Sequence, residues 1–101
     1  MRGRDRIRQR FAGAGQILDG GRVLGDAKYE LVEYCEVHTS ASGEEVEGPS
    51  STRGTIETYF PARLVGQELT LCLRDARRID FLIRSAGPGN VAEIQCYGNF
   101  Y

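Results

Sequence analysis

From Gly66 to Arg84, GQELTLCLRDARRIDFLIR, apolar residues return at every second position on either side of a short charged break. Leu69, Leu71 and Leu73 share one face of the first run, and Ile79, Phe81 and Ile83 share one face of the second. That is the period of a half-buried strand, so the stretch predicts a β-hairpin. Gly54 to Phe60 alternates in the same way, with Ile56, Thr58 and Phe60 on one side, until Pro61 removes a ladder donor and ends it. After the turn Ser85 to Asn90, a last run VAEIQCYG sets Ala92, Ile94 and Cys96 on one face.

The first half of the chain is less regular. Glycines at 13, 15, 20 and 21 leave only Gln16-Ile17-Leu18 as a short first strand, closed by Asp19-Gly20-Gly21. The run AKYELVEYCEVH mixes helix-favouring Glu, Leu and Ala with strand-forming Val and Tyr, and the absence of a helix stop tips it to strand. Thr39 to Arg53 carries one aliphatic larger than alanine, Val46, and reads as a long loop over 39–53. Five to seven strands without a convincing helix predict an all-β, mainly antiparallel small barrel or sandwich. Its core is expected from Leu31, Ile56, Phe60, Leu69, Leu71, Leu73, Ile79, Phe81, Ile83 and Ile94.

Charge divides the chain of 101 residues in two. Five arginines against Asp5 give the first ten residues a net +4, and the remaining 91 carry 8 basic and 13 acidic side chains. Residues 1–10 therefore read as a flexible Arg-rich arm ahead of a single acidic β domain, 11–101. Glu30, Glu33, Glu36, Glu44, Glu45 and Glu47 fall in a stretch without Lys or Arg, which argues against a nucleic-acid footprint over the whole domain. The odd count of three cysteines does not fit a secreted disulfide scaffold, and no run approaches the ~18–20 apolar residues of a spanning helix. FAGAGQILDGG is too short and glycine-broken for a secretory signal, so the expected location is cytoplasmic, with no membrane partner.

Candidate chemistry is sparse. Cys35-Glu36-Val37-His38 has a C-x-x-H spacing, but residues i and i+3 of a strand face opposite ways, so no metal site is expected; Cys72 and Cys96 look like small core hydrophobes. His38 with Ser40, Ser42, Ser50 or Ser51 would be the material of a small enzyme, yet no nucleophile-elbow setting surrounds these serines, and Glu44 and Glu45 read as solubilising. No catalytic residue and no cofactor is expected. The alternating Arg4, Arg6, Arg8 and Arg10 could track an anionic ligand or nucleic acid. A second basic set, Arg74, Arg77 and Arg78, marks the hairpin tip. The aromatic end, with Tyr97, Phe100 and Tyr101, either closes the barrel or offers a contact to a protein partner or a second copy.

The R-x-x-x-R of Arg4 to Arg8 or Arg6 to Arg10, the Ser51-x-x-Gly54 within Pro49 to Gly54, and a later Val65-Gly66 before alternating leucines resemble the PilZ domain, a small barrel that binds cyclic di-GMP. The resemblance implies a cyclic dinucleotide held by those arginines with Ser51, Arg53 and Gly54. Proline stands at 49 where that family has an acid or amide, and the arginines lie more than 35 residues upstream of the motif. The residues themselves support a non-catalytic binding or protein-interaction domain; nucleotide or nucleic-acid binding through the arm, and an enzyme built on the His38 loop, are the alternatives.

Overall fold

The computed structural model describes residues 3–59 and 61–101. Six antiparallel strands run in the order β1 (Gly3–Asp19), β2 (Arg22–Thr39), β3 (Glu45–Glu57), β4 (Leu69–Cys72), β5 (Arg78–Ala86) and β6 (Val91–Tyr97), with one 3-10 turn at Pro61–Leu64. They close into a barrel in the order β1-β2-β3-β6-β5-β4. The seam is short: only Gln16, Ile17 and Leu18 of β1 pair with Cys72, Leu71 and Thr70 of β4.

Turn chemistry fixes the registers. Gly20 and Gly21 both have positive φ, 57° and 88°, as a two-residue hairpin of mirror-image turn type requires, and so set Asp19 opposite Arg22. Between β4 and β5 the Leu73 amide donates to the Arg77 carbonyl at 2.7 Å, and Ala76 sits at φ 73°. The hairpin expected from the leucine and isoleucine alternation forms as read, with Leu69 opposite Phe81 and Leu71 opposite Ile79. Alternate residues of all six strands meet inside the barrel, where Leu71 and Phe81 have no exposed surface and Ile17, Leu31, Ile56, Ile79 and Ile94 have almost none. Phe60, expected in the core, lies outside the described residues.

Two expectations change. Residues 3–10 are not a free arm but continue β1, paired with residues 32–38 of β2 from Arg10 opposite Val32 to Gly3 opposite His38. The loop expected over 39–53 shrinks to residues 40–44, because β3 begins at Glu45 and pairs with β2 from Thr39 down. Composition misled both readings. Strand pairing stabilises these polar segments through backbone bonds and cross-strand charge pairs, which a count of aliphatic residues does not register.

The result is a barrel with a projection, 50 × 28 × 21 Å overall. β1, β2 and β3 have 17, 18 and 13 residues, against 4, 9 and 7 in β4, β5 and β6. The surplus length of the first three leaves the barrel as a three-stranded ribbon. β6 stops pairing with β3 at Arg53, and β4 stops pairing with β1 at Gln16.

Candidate functional site

The inner face of the ribbon continues the barrel wall. Arg4 and Arg6 stand opposite Val37 and Cys35, and on the far side of β2 Val37 faces Glu47. The Arg4 guanidinium donates to the Glu45 carboxylate, and Arg6 reaches Glu47 at 2.9 Å and Glu45 at 3.7 Å. These pairs cross from β1 to β3 over the intervening strand, so their aliphatic stems roof Val37 and Cys35, which are 2% and 1% exposed despite lying in a projection. Two of the four arginines assigned to anion binding are thus ion-paired within the chain.

On the outer face, Arg10 and Arg53 flank Val32, and Ile7 and Ser51 flank Tyr34. The Arg53 guanidinium lies 4.2 Å from the centre of the Tyr34 ring and 4.0 Å from the Asp5 carboxylate. Arg8 occupies the bulge between Ile7 and Gln9. Among the described residues no carboxylate pairs with Arg8 or Arg10. Gly54 belongs to the architecture: a Cβ there would stand 1.9 Å from the Glu30 carbonyl oxygen, so β3 needs glycine to approach β2. Hence Arg4 and Arg6 face inward with their glutamates, Ser51, Arg53 and Arg10 face outward, and the R-x-x-x-R pairs do not converge with the Ser51 to Gly54 segment on one face.

The second basic set lies at the end of β1's open edge, which sequence reading did not connect. Arg74 packs beside Gly13, its Cβ 3.7 Å from where a Gly13 Cβ would stand. Its amide donates to the Tyr29 hydroxyl at 3.1 Å. The Arg77 guanidinium is 5.0 Å from the Phe11 ring centre and 5.1 Å from that of Phe100, and its Nε donates to Asp75 at 2.7 Å. The backbone amide of Arg77 also donates to Asp75; that bond is the largest cause holding the exposed Asp75 carboxyl below its ordinary pKa. Arg74 and Arg77 therefore gather where β1's open edge ends, beside the inward-facing Gly13 and Phe11, while Arg10, one residue before Phe11, stands on the outward face, and Asp75 is already paired. No local signal could have joined them, because the link is the β1–β4 seam.

The aromatic end is used internally. Tyr101 exchanges two backbone bonds of 2.8 Å with Arg78, and its hydroxyl donates to Asp80 at 2.8 Å, the carboxylate that also accepts from Thr70. Phe100 packs on Phe11 with ring centres 5.0 Å apart, which leaves Tyr97 and part of Tyr101 exposed.

Other chemistry stays dispersed. Cys35 lies on the inner face beside Val37, and His38 lies opposite, with Nε2 3.3 Å from Glu36. The Ser40 and Ser42 hydroxyls bond each other at 2.9 Å. Among the described residues no group of three or more His, Cys, Asp or Glu side chains could hold a metal. Burial pushes the Cys96 thiol up to about 12, which makes it a poor nucleophile. An open cleft of about 910 Å³ at the end opposite the ribbon is lined by Ile17, Leu24, Ala27 and Leu64 with Asp26, Lys28 and Glu57 at its rim.

Fold and surfaces together define a small closed antiparallel β-barrel with a projecting ribbon. No family model, curated protein or solved structure matches this chain. No helix among the described residues is long and apolar enough to cross a membrane.

Proposed function

We propose that this protein is a non-catalytic interaction domain that binds a partner through the open edge of β1, in the manner of strand addition. One observation carries the reading: residues 3–12 of β1 have a strand partner on one side only, a longer run than the one-sided stretches of β2 (22–27), β3 (45–52) and β5 (82–86). A strand edge presents unpaired amides and carbonyls at a fixed spacing, a template for an extended chain. The corresponding edge of β3 is a poorer template, because Gly48 and Pro49 form a bulge against Glu36 and Pro49 has no amide to donate. The free state of Cys35, Cys72 and Cys96 supports a reducing, cytoplasmic setting. Binding of a nucleotide by the arginine series is the weaker reading, since Arg4 and Arg6 already meet Glu45 and Glu47.

The test is an NMR titration of the labelled full chain with a panel of extended octapeptides that are acidic, neutral or basic. At least one should produce saturable shifts and slowed amide exchange at residues 4–12. Shifts centred on Ile17, Leu24 and Leu64 for all of them, or none at β1, overturn the reading.

A further inference from the structure

We propose that the segment received by the β1 edge is an acidic, extended peptide of a partner protein, selected by Arg8, Arg10 and Arg74. The inference rests on the strand-addition reading and adds the chemistry of the partner. Three observations converge on it. Arg8 and Arg10, both exposed, stand on the open strand, and no carboxylate among the described residues answers them. The β4–β5 turn brings Arg74 against Gly13 at the end of the same edge, with Arg77 over the neighbouring Phe11 ring, so basic side chains stand where the free edge ends. Carboxylates close to this edge are engaged elsewhere: Asp75 with Arg77 at 2.7 Å, Glu33 as acceptor from Gln9 at 3.2 Å, and Asp5 beside Arg53 at 4.0 Å.

Residues directly opposite on neighbouring strands share a face, so an added strand with acids at alternate positions would set them against Arg10 on the outer face, with Arg8 in the adjacent bulge and Arg74 meeting an acid where the free edge ends. The same arginines oppose pairing of this edge with itself. Two copies of β1 laid antiparallel with Arg6 opposite Arg8 would also set Arg4 against Arg10, and like charges directly opposite are destabilising. The unpaired backbone favours a peptide over a nucleic acid, because phosphates would use the guanidiniums but leave the strand edge unmet.

The experiment uses the full chain and three octapeptides: alternating glutamate and valine, its glutamine counterpart, and the glutamate peptide N-methylated at alternate backbone nitrogens. Affinity should fall on the order of tenfold or more from glutamate to glutamine, a change typical of losing a few rim charge pairs. N-methylation should abolish binding. The double variant Arg8→Glu, Arg10→Glu should bind the glutamate peptide worst while melting as the parent does, since both side chains are exposed; Arg74→Glu supplies an independent check. Equal binding of glutamine and glutamate peptides overturns the charge inference and leaves strand addition standing. Undiminished binding of the N-methylated peptide, or tighter binding of oligo-dT, overturns both in favour of diffuse anion attraction. Sedimentation as a dimer that the glutamate peptide cannot dissociate would make a second copy the occupant and overturn the proposal.

Discussion

At the scale of single residues, backbone approach decides several positions that side-chain chemistry would rank as trivial. A Cβ on Gly54 would meet the Glu30 carbonyl oxygen at 1.9 Å, and one on Gly15 would meet that of Cys72 at 2.1 Å. Both obstacles are backbone, so strands must separate to admit alanine. Gly54→Ala or Gly15→Ala should lose about 1–3 kcal/mol or more in urea unfolding. Gly25→Ala, with nothing within 4 Å, should be neutral or slightly stabilising. Ala76 holds φ 73° in the β4–β5 turn, so Ala76→Gly should gain about 1 kcal/mol by the same measurement.

Titration belongs to this scale as well. The Cys96 thiol, raised from 9.0 to about 12 by desolvation, stays protonated in the fold where the unfolded chain would ionise. Above pH 9 the unfolded state therefore binds fewer protons than the native one, and stability falls as pH rises towards 12. The slope from this group is at most about 1.4 kcal/mol per pH unit, and Cys96→Ala should remove that component from a urea series run from pH 8 to 11. Asp75 works in the opposite direction. Its carboxyl is lowered, so its small contribution is present above the ordinary carboxylate pKa and disappears as acid carries the pH through the lower folded value.

Among the elements, the ribbon and the chain end depend on contacts made far from their own sequence. The ribbon has two buried apolar residues, Cys35 and Val37, under exposed ion pairs, whereas the barrel has a continuous core. Amides of residues 4–8, 45–48 and 50 should therefore exchange faster than those of β5 and β6 in a native-state hydrogen exchange series. Glu45→Gln with Glu47→Gln should quicken the ribbon further while lowering global stability by less than about 1 kcal/mol, since exposed pairs contribute little. Phe100 ties the last residues to Phe11 and Arg77. Phe100→Ala should cost about 2 kcal/mol, below the roughly 3–5 of a fully buried phenylalanine, and should release the Tyr101 to Arg78 bridge seen at 2.8 Å.

For the whole molecule, closure joins distant segments: β1 pairs with β4 across 52–56 residues of chain, and β3 with β6 across 34–42. Such topologies close long loops before contacts reward them, so stopped-flow refolding should be slow for the chain length, in the ms to s range rather than μs. Charge follows the same logic. A basic end and an acidic stretch, separate in sequence, lie side by side as β1 and β3 about the common neighbour β2, and cancel in part.

The sequence by itself determined the class of the fold and most of its core. Leu69, Leu71, Ile79, Phe81, Ile83, Ile56 and Ile94 are buried where alternation placed them, because a period of two is a local property of the strand. It also located the turns at Gly20-Gly21 and at 74–76, since turn geometry is set by adjacent residues. Only the tertiary structure decided that the arginine segment and half of the glutamate-rich stretch are strands, for their stability comes from pairing across β2 rather than from buried aliphatic area. Likewise, only barrel closure brought Arg74 to Gly13 and left one edge of β1 open. Both are consequences of which strand ends where, a comparison of lengths between elements far apart in the chain that no local pattern encodes.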